Sequence, residues 1–159
     1  MSYSASVGAG RFLTAQICLP AGASVAAVIP STTDRWIQVA HSYAASVGGA
    51  EIWMCRGAQG GTTSVTVKFT NSTTADVNIA EWSGVNFVDP LDQWSANFGT
   101  STTPAITSLN ARNSGGVVIG AQSGVATSGP PSGWTALTQS GSTFTAGYEL
   151  VASSGAISA

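Results

Sequence analysis

Apolar and polar positions along the chain alternate far more often than they recur at helical spacing. In Ser64–Thr70, Val65, Val67 and Phe69 fall on one face, and Thr66, Lys68 and Thr70 on the other. In Ala75–Trp82, Val77 and Ile79 point one way and Asn78 the other. Phe12–Leu19 sets Leu13, Ala15, Ile17 and Leu19 opposite Phe12, Thr14, Gln16 and Cys18. A side-chain period of two belongs to a strand. The same reading predicts strands at Ser24–Ile29, Arg35–Tyr43, Ala50–Arg56, Ile106–Leu109, Gly116–Gln122, Trp134–Gln139 and Thr143–Ala152. Turn-forming pairs fall between them: Gly48-Gly49, Gly60-Gly61, Asn71-Ser72, Gly115-Gly116, Pro130-Pro131 and Ser140-Gly141.

About ten short strands at this spacing predict an all-β chain, two antiparallel sheets packed face to face as a β-sandwich. The strand number exceeds a minimal immunoglobulin count, so the expected topology is jelly-roll-like. Residues 1–159 read as a single domain, and 88–104 (VDPLDQWSANFGTSTTP) as a long loop excursion from it. Composition supports the strand reading. Val 14 and Ile 8 outnumber Leu 6, and Thr adds 18 more β-branched residues, which fit a pleated sheet better than a helix. Strong helix formers are scarce, with Glu 3, Lys 1, Met 2 and Arg 4.

Charge narrows the function classes. Lys and Arg together number 5 and the net charge is -2, too little positive charge to release many phosphate counterions, so no nucleic-acid partner is expected. One histidine (His41) and two cysteines (Cys18, Cys55) make a classical metal site unexpected. No cofactor is implied. No apolar run approaches the length of a bilayer crossing, and no membrane partner is expected. Arg11 followed by FLTAQICLPAGASVAA imitates a secretory signal with a mature start after Ala27, but Thr14 and Gln16 interrupt its apolar part. The competing reading is a first sheet strand. For the cysteines two readings stand: small buried hydrophobes, or a bridge requiring neighbouring strands with close Cα atoms. A lysine-poor sandwich without a convincing export signal, beginning and ending with its strands, fits a protein folded inside a cell and released by lysis. Virion proteins have that history.

The middle of the chain carries a resemblance. Glu51-Ile52-Trp53, the strand Ser64–Phe69, Glu81-Trp82-Ser83-Gly84-Val85 and Asp89-Pro90-Leu91-Asp92 resemble small jelly-roll-like β-sandwich domains of bacteriophage virion proteins, also found in bacterial surface proteins. Gly133–Gln139 (GWTALTQ) and Tyr148–Ser158 (YELVASSGAIS) match more loosely. The resemblance covers about two thirds of the chain, counted on those motifs. It implies a sandwich with a structural or adhesive role, supplies no catalytic residue, and looks most like a capsid decoration (cement) protein.

Glu81, Asp89, Asp92 and Glu149 are the acids from which a glycosidase pair would be drawn; against it stands ordinary turn capping. Asp89 and Asp92, helped by Asn86 or Asn97, supply oxygens that calcium requires, or simply bond nearby amides in a proline turn. His41 lies in WIQVAHSY beside Ser42 without a nucleophile elbow, and Lys68 alternates outward as a solvated side chain. No catalytic residue is expected, and the chain is read as a non-enzyme. Of the five tryptophans, Trp36, Trp53 and Trp82 fall in strands. Trp94, with Asn97 and Phe98 in the excursion, and Trp134 after the proline turn, form the expected interface or ligand platform, since Trp is enriched where partners dock. Covering an open end of the sandwich is the competing role. The leading expectation is a homo-oligomeric structural virion protein, a trimer, binding and stabilising the major capsid protein lattice. The alternative is a carbohydrate-binding or adhesive module at a cell or virion surface, with a glycan as partner.

Overall fold

The computed structural model describes residues 1–86, 88–98, 109–123, 132–137 and 145–157. Among these there is no helix, and eleven strands occur. They are β1 (Phe12–Leu19), β2 (Val25–Pro30), β3 (Trp36–Ala44), β4 (Gly48–Cys55), β5 (Val65–Phe69), β6 (Asp76–Trp82), β7 (Leu109–Ala111), β8 (Val117–Gln122), β9 (Thr135–Ala136), β10 (Thr145–Leu150) and β11 (Gly155–Ile157). All pairings are antiparallel. Four sheets result, in the orders β3-β4-β1-β6, β8-β10-β9, β11-β7 and β2-β5. The antiparallel, face-to-face all-β body expected from the sequence is present. The jelly-roll topology goes further than these pairings and stays an expectation.

The predicted alternation explains the layering. β1 is central to the four-stranded sheet, and every one of its residues is buried. One face of it, through Ala15, Ile17 and Leu19, meets Val28 of β2, Val65 of β5 and Val77 of β6. Val67, Phe69, Ile79, Trp36 and Trp53 pack around that cluster. Burying a single large aliphatic side chain stabilises by about 1.5–3 kcal/mol, so this face is the main core. The other face carries Phe12, Thr14, Gln16 and Cys18, and the three-stranded sheet lies over it. Cys18 packs with Ala146 of β10, Ala121 of β8 and Leu137, while Trp82 meets Tyr148 edge-on at 5.1 Å. The middle sheet is therefore covered on both sides. The polar face of β1 is buried from bulk solvent.

Close approach fixes two glycines. A methyl group at Gly48, whose φ is +101°, would stand 2.1 Å from the Leu19 carbonyl oxygen, and one at Gly49 2.3 Å from that of Ser42. The Gly-Gly pair read as a turn signal thus opens β4 itself, where only hydrogen fits between the neighbouring strands.

The cysteines do not bridge. β1 and β4 are neighbours, as a bridge would need, but the register sets Cys55 opposite Leu13 and Cys18 opposite Ala50. Those positions lie about 17 Å apart along β1 at roughly 3.3 Å per residue, on opposite faces. Burial, with the Asp34 charge adding, pushes the Cys55 thiol up to about 11. Within the signal-like run, Phe12–Leu19 form the central strand and Val25–Ala27 open β2. Residues 99–104 of the excursion, most of the predicted strand Ile106–Leu109, the turns at Pro130-Pro131 and Ser140-Gly141, and the ends of two C-terminal strand predictions lie outside the described residues.

Candidate functional site

β3 is an edge of the four-stranded sheet. Its bulge between Gln38 and Ala40 shifts the register against β4, and a bulge on an edge strand re-aims the side chains beyond it. Ala40 is buried, whereas Ile37, Gln38, His41 and Tyr43 reach the surface.

The excursion crosses to this edge. Its first turn is held by Asn86, whose side-chain oxygen accepts the Val88 N–H at 3.0 Å. Asp92 then ties it to β7 and its following turn: one carboxylate oxygen accepts the Arg112 N–H at 2.8 Å, and the other lies 3.3 Å from Arg112 Nε. Gln93 Oε1 accepts the Asn110 N–H at 3.1 Å. At the far end the Trp94 indole lies over the His41 ring, centroids 6.5 Å apart and planes 23° from parallel. Ser42 Oγ donates to the Asn97 carbonyl at 2.7 Å, and Asn97 Oδ1 accepts the Phe98 N–H at 2.9 Å. Residues 88–98, which form no strand of their own, are thus strapped between β7 and β3.

That strap presents apolar surface. Val88 and Phe98 are each 74 % exposed, and Trp94 is 54 % exposed even with His41 beneath it. Ile37 and Tyr43 of β3 are exposed as well. Trp94, Asn97 and Phe98 of the expected platform therefore gather on one edge of the molecule. Trp134 is placed differently. It lies on Gly120 of β8, where a methyl group would come within 2.7 Å of its ring, and its indole N–H is buried without a partner. Its ring serves the three-stranded sheet.

The acids are dispersed. Glu81 pairs with Arg11 at 3.2 Å and accepts the Gly8 N–H, Glu149 sits in β10, and Asp89 is exposed in the strap. Both oxygens of Asp92 are engaged by Arg112. Among the described residues no three His, Cys, Asp or Glu side chains gather as metal ligands would. Lys68 is exposed on β5.

Two buried carboxylates take roles that the sequence reading does not assign, Glu51 entering it only as part of the Glu51-Ile52-Trp53 motif. Glu51 on β4, only 6 % exposed, accepts the Val25 N–H at 3.2 Å and the Gln38 and Trp53 side-chain N–H groups at 2.7 Å each. It joins β2, β3 and β4. Asp34 accepts the Gln59 N–H and the Thr32 and Thr62 hydroxyls. For Glu51 the sequence carries a signal, since an acid inside an otherwise apolar strand must be paired if it is buried; Asp34 lies in the connection between β2 and β3, where no such pattern marks it.

No family model, curated protein or solved structure matches the chain. The virion-protein resemblance therefore rests on the quoted motifs alone.

Proposed function

We propose that this protein is a non-enzymatic structural component of a phage-like virion, one that docks on the assembled capsid lattice through the strapped edge formed by Val88–Phe98 and β3. The supporting observation is the exposed Trp94–Phe98 segment, held in place by His41 and Ser42. A pre-positioned aromatic loses little freedom on docking, and Trp is the commonest kind of residue to dominate an interface. Sparse charge around it leaves few ions to desolvate. Whatever binds only the assembled shell stabilises it by mass action. A trimer placed where capsid subunits meet is the assembly this reading favours.

Mixing the protein with undecorated capsids tests the proposal. Binding with a raised capsid melting temperature is expected, and Trp94→Ala or Phe98→Ala should weaken it at least tenfold, while Leu150→Ala, exposed on β10 outside the strap, should not. Absence of binding, or equal loss from all three variants, defeats the reading. The second reading, a glycan platform, is favoured by the same exposed indole. Quenching of Trp94 emission by an oligosaccharide, abolished in Trp94→Ala, would replace the capsid with a sugar as partner.

A further inference from the structure

Between the middle sheet and the three-stranded sheet, the fold closes off a group of polar side chains and leaves it incompletely paired. Gln16 of β1 and Asn78 of β6 stand directly opposite each other in the register. Their exposures are 0 % and 1 %. Thr14, on the same face of β1, accepts from Gln16 Nε2 at 2.9 Å and from the Trp82 indole at 2.8 Å. That accounts for one end of the Gln16 amide. Gln16 Oε1, Asn78 Oδ1 and Asn78 Nδ2 have no hydrogen-bond partner within the protein.

Turning the Gln16 amide over does not remove the deficit. It exchanges which of its two polar atoms is orphaned, and Asn78 is unaffected. A direct Gln16–Asn78 bond would satisfy one atom of each and still leave an amide group of Asn78 unmatched. Buried polar atoms in folded proteins are paired with very few exceptions, and water is the usual partner where protein supplies none.

The surroundings define what fits. Toward one end Trp82 is closed by Tyr148, centroids 5.1 Å apart with rings nearly perpendicular. Toward the other, Cys18 packs with Ala146, Ala121 and Leu137. Apolar contacts therefore bracket an amide acceptor on Gln16 and a donor–acceptor pair on Asn78. The ligand must be small and neutral, and it must both donate and accept.

We propose that Gln16 and Asn78 hold an internal water, a built-in structural ligand of the β1–β6 pair beneath the C-terminal sheet. The water donates to Gln16 Oε1 and accepts from Asn78 Nδ2. Its second proton is available to Asn78 Oδ1 or to a second water. Sealed from bulk by the flanking apolar contacts, it exchanges far more slowly than surface hydration.

Nuclear magnetic resonance on the labelled, intact protein tests this directly. The Asn78 side-chain amide protons should show cross-peaks to water, with laboratory-frame and rotating-frame effects of opposite sign, as a long-lived bound water gives. A second measurement uses melting temperature. Gln16→Leu and Asn78→Leu should each lower it by several degrees, because each strands the other amide, and the double variant should lose less than the sum of the two. Absence of the cross-peaks overturns the proposal. So does a rise in melting temperature for the single variants, which is what removing dry, unpaired amides would produce. The cross-peak experiment stands on the unaltered chain, so a variant that fails to fold does not affect it.

Discussion

At the residue scale the most informative side chain is Asp34, in the connection between β2 and β3. Burial alone would raise its carboxyl. Three hydrogen bonds, from the Gln59 N–H at 2.7 Å, the Thr62 hydroxyl at 2.6 Å and the Thr32 hydroxyl at 2.9 Å, outweigh burial and hold it below its ordinary value of 3.8. The native state thus binds the proton more weakly than the unfolded chain. Stability from this group is fully present above the ordinary carboxylate value and is lost as pH falls through the lower folded-state value. Asp34→Asn should cost about 1.5–3 kcal/mol near neutrality, as hydrogen bonds to a charged group do. Its deficit against the parent should shrink as pH falls below the ordinary carboxylate value and through the lower folded-state one. Melting temperatures of both proteins from neutral to acid pH measure this. A gap independent of pH would assign the stability to shape and not to charge.

At the scale of elements, the strap shows how little local pattern says about long irregular segments. Alternation located β1, β5 and β6 because one face of each is apolar, and in β5 the expected inward residues Val65, Val67 and Phe69 do pack in the core. Nothing local indicated that Asp92 would reach Arg112, twenty residues away, or that Trp94 would settle on His41. The same holds for the cysteines: neighbouring strands were conceivable from the sequence, but the register that separates them was not. Trp134, at the start of a predicted strand, gives no local sign of its packing, because the glycine that receives it, Gly120, lies in another strand. The extra short strand β11 escaped because three residues carry no measurable period. Since Asp92 anchors one end of the strap while its Arg112 partner is largely exposed, Asp92→Ala should barely move global stability, by about 1 kcal/mol or less. Proteolytic cleavage within Val88–Phe98 should nevertheless accelerate severalfold, and Trp94 emission should shift to the red. Unchanged cleavage would mean that the β3 contacts alone hold the strap.

At the scale of the whole molecule, the two faces of the middle sheet are chemically unequal. Toward β2 and β5 they meet through Ala15, Ile17, Leu19, Val28, Val65 and Val77, with Phe69 and Trp53 around them. Toward β8 and β10 the central strand offers Thr14 and Gln16 and β6 offers Asn78, and among the described residues the apolar contacts are a small cluster around Cys18 and Ala146 and the Trp82–Tyr148 pair. Sequence alternation foresaw both faces of β1. It assigned the polar one no cover, because whether a second layer lies over a strand is decided by segments more than a hundred residues away. Separating the layers therefore costs different amounts. Among the described residues, lifting β8-β10-β9 parts fewer buried apolar side chains than parting β2-β5 from β1, and the free energy of such an opening scales roughly with the apolar area exposed. Native-state hydrogen exchange should then show amides of β8 and β10 opening at lower free energy than those of β1 and β4. The two groups should merge only at denaturant concentrations close to global unfolding. If β10 amides instead follow those of β1 from the start, the layers form one cooperative unit, and the polar seam is bound as tightly as the apolar core.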